Sequence, residues 1–233
     1  MDFDFRFFFI GLRESIRHIP VSFCVTLAVL VIGVIFGFLV ALTRCYRVKF
    51  LAEALRVVVT VLRGIPLILF LLIFKTIIAF TYDDLMAKLG LNLSYRDLNK
   101  ALIAIAAMSI PMVVNISEMF RGAFAAVDKS QFDASRAIGH TGAQTLFRVA
   151  LPQMIPVSIP MLGNIVIGAI KGTSLLLYVS VVDILNGSVL AAALNYKYLE
   201  AYFAAACVFW AICASMEWLF HFLEKKFKQT KAG

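Results

Sequence analysis

The chain has 233 residues, of which 62% are hydrophobic and only 15% charged, and it carries a formal net charge of +8. A soluble domain is nearer half apolar and a quarter charged, so lipid is the expected solvent and several membrane spans are expected. A disordered chain, a disulfide scaffold and an ordinary cytosolic enzyme are excluded.

Residues 1–18 come first. Asp2 and Asp4 stand where a cleavable signal would be cationic, and the aromatic segment Phe3 to Ile10 contains Arg6 and is too short to span. This part reads as an amphipathic segment lying in the membrane interface. The first long apolar run, Pro20 to Leu42, is long enough to cross a bilayer at the helical rise. Within it Gly33 and Gly37 form a GxxxG pair that would let another helix approach closely. Arg44, Arg47 and Lys49 follow directly.

The second run, about Leu55 to Phe80, is interrupted by Arg63-Gly64-Ile65-Pro66. Proline lacks an N–H and bends or breaks a helix, and a charge beside that break cannot face lipid cheaply. A polar stretch with Asp83, Asp84, Asn92 and Asp97 leads to the third run, Ala101 to Phe120, which contains Pro111. Glu118 and Arg121 mark its end and are spaced to pair on one helix face.

Residues 121–152 form the longest polar stretch and read as short helices outside the membrane. In the fourth run Pro152, Pro156 and Pro160 precede Met161 to Ile170, then Lys171-Gly172-Thr173-Ser174 intervenes before Leu175 to Val182. Two short apolar pieces around a polar break predict a discontinuous helix. The fifth run, about Tyr202 to Phe222, leads into a lysine-rich tail at 224–233.

The fold class expected is therefore an all-α integral membrane protein, one domain with five transmembrane helices and its termini on opposite faces. Eleven of the cations fall on one side: Arg44, Arg47, Lys49, Arg121, Lys129, Arg136, Arg148, Lys225, Lys226, Lys228 and Lys231. Seven fall on the other: Arg6, Arg13, Arg17, Lys88, Arg96, Lys100 and Lys197. The positive-inside rule then places the C-terminus in the cytoplasm, the N-terminus outside and the 121–152 loop in the cytoplasm. The basic excess reads as orientation in the bilayer, and no nucleic acid is expected as a partner.

No catalytic or metal site is expected. Cys24, Cys45, Cys207 and Cys213 form no CxxC pair, and His18, His140 and His221 lie far apart. A P-loop requires GxxxxGK before Ser or Thr, whereas Lys171-Gly172 has the reverse order in an apolar context. No nucleophile–base set or paired carboxylates stand out either.

The stretch Asp133-Ala134-Ser135-Arg136-Ala137-Ile138-Gly139, followed after nine residues by Val149-Ala150-Leu151-Pro152, resembles the EAA motif of permease subunits of bacterial ATP-binding-cassette importers. The spacing agrees throughout, with Asp133 for Glu, Ser135 for Ala and Val149 for Ile. Arg63-Gly64-Ile65-Pro66-Leu67, Glu118, Arg121-Gly122, Gln131, Gln153, Pro160, Asn164 and Lys171 to Leu175 extend the likeness to the polar amino-acid branch. The resemblance implies a chain in the cytoplasmic (inner) membrane of a bacterium, importing a polar amino acid or close derivative. Its implied partners are a second permease, identical or homologous, two ATPase subunits, an extracytoplasmic solute-binding protein and the lipid bilayer. ATP and Mg2+ would then be bound by the ATPase subunits, with no cofactor on this chain. It assigns ATPase coupling to Asp133, Ala134, Ser135, Ala137, Gly139, Leu151 and Pro152. Independently, Ala134 and Ala137 are small enough for close approach to a partner, and Gly139 suits a left-handed helix cap.

Arg63, Asn164, Lys171, Thr173 and Ser174 are candidates for the substrate pathway, because polar groups inside spans usually face a cavity or a partner. A broken helix at Lys171 would offer free N–H groups to a carboxylate. The structural alternative pairs Lys171 with an acid such as Glu118 or with freed carbonyls, has Arg63 satisfying carbonyls released at Pro66, and gives Asn115 and Asn164 interhelical hydrogen bonds. The functional alternative is a self-sufficient secondary transporter or channel. Ion coupling would need intramembrane acids, and Glu53 and Glu118 lie only near span ends.

Overall fold

The computed structural model describes residues 3–46 and 48–229. Asp2, Arg47 and Lys231, named above, lie outside the described residues, as does the end of the expected tail. The elements are α1 (Phe5–Arg17), α2 (Ile19–Cys45), α3 (Leu51–Arg63), α4 (Leu67–Lys88), α5 (Lys100–Ala125), α6 (Lys129–Ala137), α7 (Gly142–Thr145), α8 (Leu151–Gly172), α9 (Ile184–Ala192) and α10 (Tyr198–Gln229). No strand occurs among the described residues. Four helical stretches are long and apolar enough to cross a membrane, or five if the bent pair α3–α4 counts as one span. The five expected spans match the larger count.

α5 is the central helix. Its buried Ile103, Ala104, Ala107, Met108, Met112 and Ile116 meet Val25 and Val29 of α2, Phe70 and Leu71 of α4, and Leu176 and Val179 beyond α8. In lipid the gain from such contact is close packing, since acyl chains are as apolar as the side chains themselves. Gly33 and Gly37 make that packing possible. A Cβ on Gly37 would sit 2.9 Å from Ile116 Cγ2 and 3.0 Å from the Val113 carbonyl oxygen, and one on Gly33 would collide with Met112.

The chain turns through 100° between α3 and α4. Pro66 supplies no N–H and pushes Ile65 out of helical geometry, so α3 ends at Arg63 and α4 starts afresh at Leu67. Pro111 stays inside α5, which continues through it.

The expectation of a discontinuous fourth helix is corrected. α8 runs unbroken from Leu151 to Gly172 and tightens into a 3-10 turn over Thr173–Val179 that stops at Ser180, whose φ is +61°. The Thr173 hydroxyl donates to the Ile170 carbonyl at 2.8 Å and the Ser174 hydroxyl to the Lys171 carbonyl at 2.8 Å. Hydroxyls that bond back into the preceding turn satisfy their own polarity without ending the helix. Pro152 takes the second position of α8, directly after the π turn at Leu146–Ala150.

α1 packs Phe7, Gly11 and Ser15 inward against α9 and α10, leaving Phe5, Phe9, Ile10 and Ile16 exposed. A Cβ on Gly11 would lie 3.2 Å from Ala204 Cβ. The short α9 has no counterpart in the sequence reading. Its start is capped by buried Asp183, whose carboxylate accepts from the Leu185 and Asn186 backbone N–H groups at 3.3 and 3.0 Å.

Candidate functional site

The polar loop after α5 is a compact helical unit. Asp128 caps α6 by accepting from the Ser130 N–H at 2.8 Å, which holds the Asp128 carboxyl below the usual carboxylate range. α6 ends in a left-handed turn. Gly139 has φ +83°, its N–H donates to the Arg136 carbonyl at 2.9 Å, and the His140 N–H donates to the Ser135 carbonyl at 3.1 Å. Both bonds satisfy carbonyls that the helix end would leave open. α7 starts with a reciprocal cap between Thr141 and Gln144. A π turn over Leu146–Ala150 joins it to α8.

One set of contacts holds this unit to the bundle and another holds it together. Buried Val127, Leu146, Ala150 and Met154 pack with Ala123 and with Phe38, Phe120, Phe124 and Phe132. Ser135, 3% exposed, lies 2.8 Å from the Thr145 hydroxyl and 3.0 Å from His140 Nδ1 through its own hydroxyl. The loop residues therefore divide into two groups. Asp133, Ala134, Ala137 and Gly139 are exposed, whereas Ser135 faces inward and braces α6 against α7. Leu151 is half-buried and Pro152 is exposed at the head of α8. Ile138 and Phe147 join the outer surface at 73% and 61% exposure. Both are large apolar side chains on an otherwise polar loop, Ile138 two residues from Arg136 in sequence. The sequence reading missed both, although each falls inside or beside the motif it singled out. Between this unit and the end of α2 lies a cavity of about 500 Å³ lined by Cys45, Tyr46, Phe124, Phe132, Asp133, Arg136 and Thr145.

The pathway candidates are not all brought together. Asn164, Gly168 and Lys171 are exposed along one face of α8, at the helical spacing of four and seven residues. Asn164 and Gly168 line a groove of about 380 Å³ with Pro111 and Asn115 of α5. Thr173 is fully buried and Ser174 is partly buried, both hydroxyls turned to their own helix. Arg63 lies elsewhere, 3.6 Å from Glu118. Glu118 is also 2.5 Å from Arg44 and 2.8 Å from Arg121. The acid considered as a partner for Lys171 is thus engaged by three arginines. The Glu118–Arg121 pair follows from their spacing, but Arg44 is remote in sequence and gave no signal. No group of three or more His, Cys, Asp or Glu positioned to hold a metal occurs among the described residues.

Comparison with known proteins gives the family and the fold. The family described as the inner membrane component of binding-protein-dependent transport systems matches residues 11–229, and the chain belongs to it. It is accordingly a multi-pass membrane protein of the ABC importer permease class. Its relatives include the L-cystine transport system permease protein TcyL of Bacillus subtilis (strain 168), 30% identical over 92% of this chain and 87% of that one. A second, TcyB of the same organism and also an L-cystine permease, is 32% identical over 86% and 81%. Among solved structures, an amino acid ABC transporter crystallised with histidines superposes with a TM-score of 0.79 at 23% identity, covering 97% of this chain and 100% of that one. The MetNI methionine ABC transporter, inward facing, gives 0.59 at 19% identity over 94% of each chain. At these identities the structures establish the fold.

Proposed function

We propose that the chain is the membrane-spanning subunit through which an ATP-driven importer moves a polar amino acid or a close derivative across the bacterial cytoplasmic membrane. The observation that carries this reading is the loop between α5 and α8: braced inside by Ser135 and Thr145, it presents Ala134, Ala137, Ile138 and Phe147 outward. A rigid helical unit with an apolar outer face suits the groove of an ATPase subunit, and closure of two such subunits would be transmitted through it. The cation distribution supports a cytoplasmic loop and C-terminus and an N-terminus outside. A second permease completes the pathway, a solute-binding protein delivers substrate, and ATP with Mg2+ is held by the ATPase partners. Asn115, Asn164 and Lys171 line the substrate's route on the exposed face of α5 and α8. The cystine permeases among the relatives make cystine the first substrate to try.

Affinity purification of the tagged chain from native membranes in mild detergent tests this reading. An ATPase subunit and a solute-binding protein should co-purify, and ATP hydrolysis by the reconstituted set should rise with the loaded binding protein. Transport by the isolated chain on an ion gradient without ATP would overturn it.

A further inference from the structure

A basic groove between α2, α3 and α5 lies apart from that route. It holds about 330 Å³ and is lined chiefly by Arg44, Arg56, Thr60, Arg63, Glu118 and Arg121. Four guanidiniums thus surround one carboxylate, with Glu53 adding a second from the rim, 3.0 Å from Arg56. Two positive charges remain in surplus, and a concave cluster of one sign attracts a counter-ion. The floor is fixed, since the Arg44 and Glu118 side chains are only 10% and 16% exposed. The mouth is open: Arg56 and Arg63 are 64% and 56% exposed. Arg63 is ion-paired with Glu118 at 3.6 Å but beyond hydrogen-bond length, so its N–H donors can still turn to an incoming oxyanion.

The surroundings say which oxyanion. Arg56, Thr60 and Arg63 form one stripe of α3, Ala52 and Val59 its buried edge, and Val57, Val58 and Val61 an exposed apolar face. α4, at 22 residues, is about 33 Å long and matches the hydrocarbon thickness in length, whereas α3, at 13, is about 20 Å long and falls short of it. Because the two meet at 100°, α3 lies near the membrane plane when α4 crosses it. Its valines then meet acyl chains while its arginines stand at headgroup level. We propose that this groove binds the phosphodiester headgroup of an acidic phospholipid, with Arg56 and Arg63 as the accessible donors.

Native mass spectrometry of the purified full chain, with phosphatidylglycerol or phosphatidylcholine supplied at equal concentration, tests this. Phosphatidylglycerol should be retained about tenfold better, and Arg56→Gln/Arg63→Gln should remove most of that preference while Arg96→Gln leaves it intact. Thr60→Glu, which places a negative charge at the mouth without removing an ion pair, should do the same should the double variant fail to fold. Equal retention of the two lipids, or a preference that survives both variants, overturns the proposal. So does displacement of phosphatidylglycerol by millimolar inorganic phosphate, which would identify a soluble anion as the ligand.

Discussion

The carboxylate of Glu118 lies 2.5 Å from the guanidinium of Arg44, across 74 residues of sequence, and ties the last turn of α2 to the end of α5. Both side chains are largely buried, and Arg63 and Arg121 draw on the same carboxylate. Removing one partner of such a group leaves charge without compensation. Glu118→Gln should therefore destabilise the chain by about 2–4 kcal/mol. Glu53→Gln, which breaks an exposed pair with Arg56, should cost under about 0.5 kcal/mol. Thermal melting of the two variants in the same detergent measures the contrast.

The close approach of α2 to α5 predicts a steric result. Gly37→Leu should force α2 away from Ile116 and the Val113 carbonyl, costing about 1–3 kcal/mol, with Gly33→Leu additive in direction because it meets Met112. Gly168→Ala meets nothing within 4 Å and should be tolerated. Detergent-solubilised yield and melting temperature separate these outcomes.

A purely backbone effect is expected at the end of α6. Gly139 has open space around it but φ +83°, so Gly139→Val should cost about 1–3 kcal/mol of local strain without any clash. Gly142→Ala, also in open space and without positive φ, should be neutral. Substrate-stimulated ATP hydrolysis in the reconstituted complex should fall in the first and persist in the second, with membrane insertion normal in both.

The cap on α6 should make that helix sensitive to acid. The Asp128 carboxyl is held below its ordinary value of 3.8 by the Ser130 N–H, so the capping contribution is fully present above that value. It is lost as pH falls through 3.8 toward the lowered pKa. Amide exchange across 129–137, corrected for its intrinsic pH dependence, should show flat protection at neutral pH and a decline in acid. Asp128→Asn keeps an acceptor and should abolish the pH dependence.

Much of this architecture is legible in the sequence because lipid enforces a simple rule. A crossing helix must be long and apolar, so the runs announce themselves, and Gly64-Ile65-Pro66 marks the bend because a missing donor cannot be compensated locally. The loop is legible through its motif spacing and through Gly139, whose left-handed cap demands that residue type, whereas the caps at Asp128 and Thr141 emerge only with the helices they start. The sequence misleads at Lys171 to Ser174, where polar residues suggest a break but two hydroxyls bond within the helix. It is silent on Arg44 meeting Glu118 and on α1 docking against α9 and α10, because both depend on contacts between remote segments. The inward turn of Ser135 is equally hidden, for a nine-residue helix shows its faces only once its neighbours are in place.

The continuity of α8 bears on how movement could pass along the molecule. One end of this helix closes the loop and the other carries Asn164, Gly168 and Lys171, so a single rod about 33 Å long connects outer surface to inner groove. Its slack is unevenly distributed. The π turn at Leu146–Ala150 and the three prolines at 152, 156 and 160 all fall in or before its first half, while the half bearing Asn164 and Lys171 contains none. Flexure would gather beside the loop, and the groove wall beyond Pro160 would swing as a stiff pointer, its far end travelling several times farther than its base.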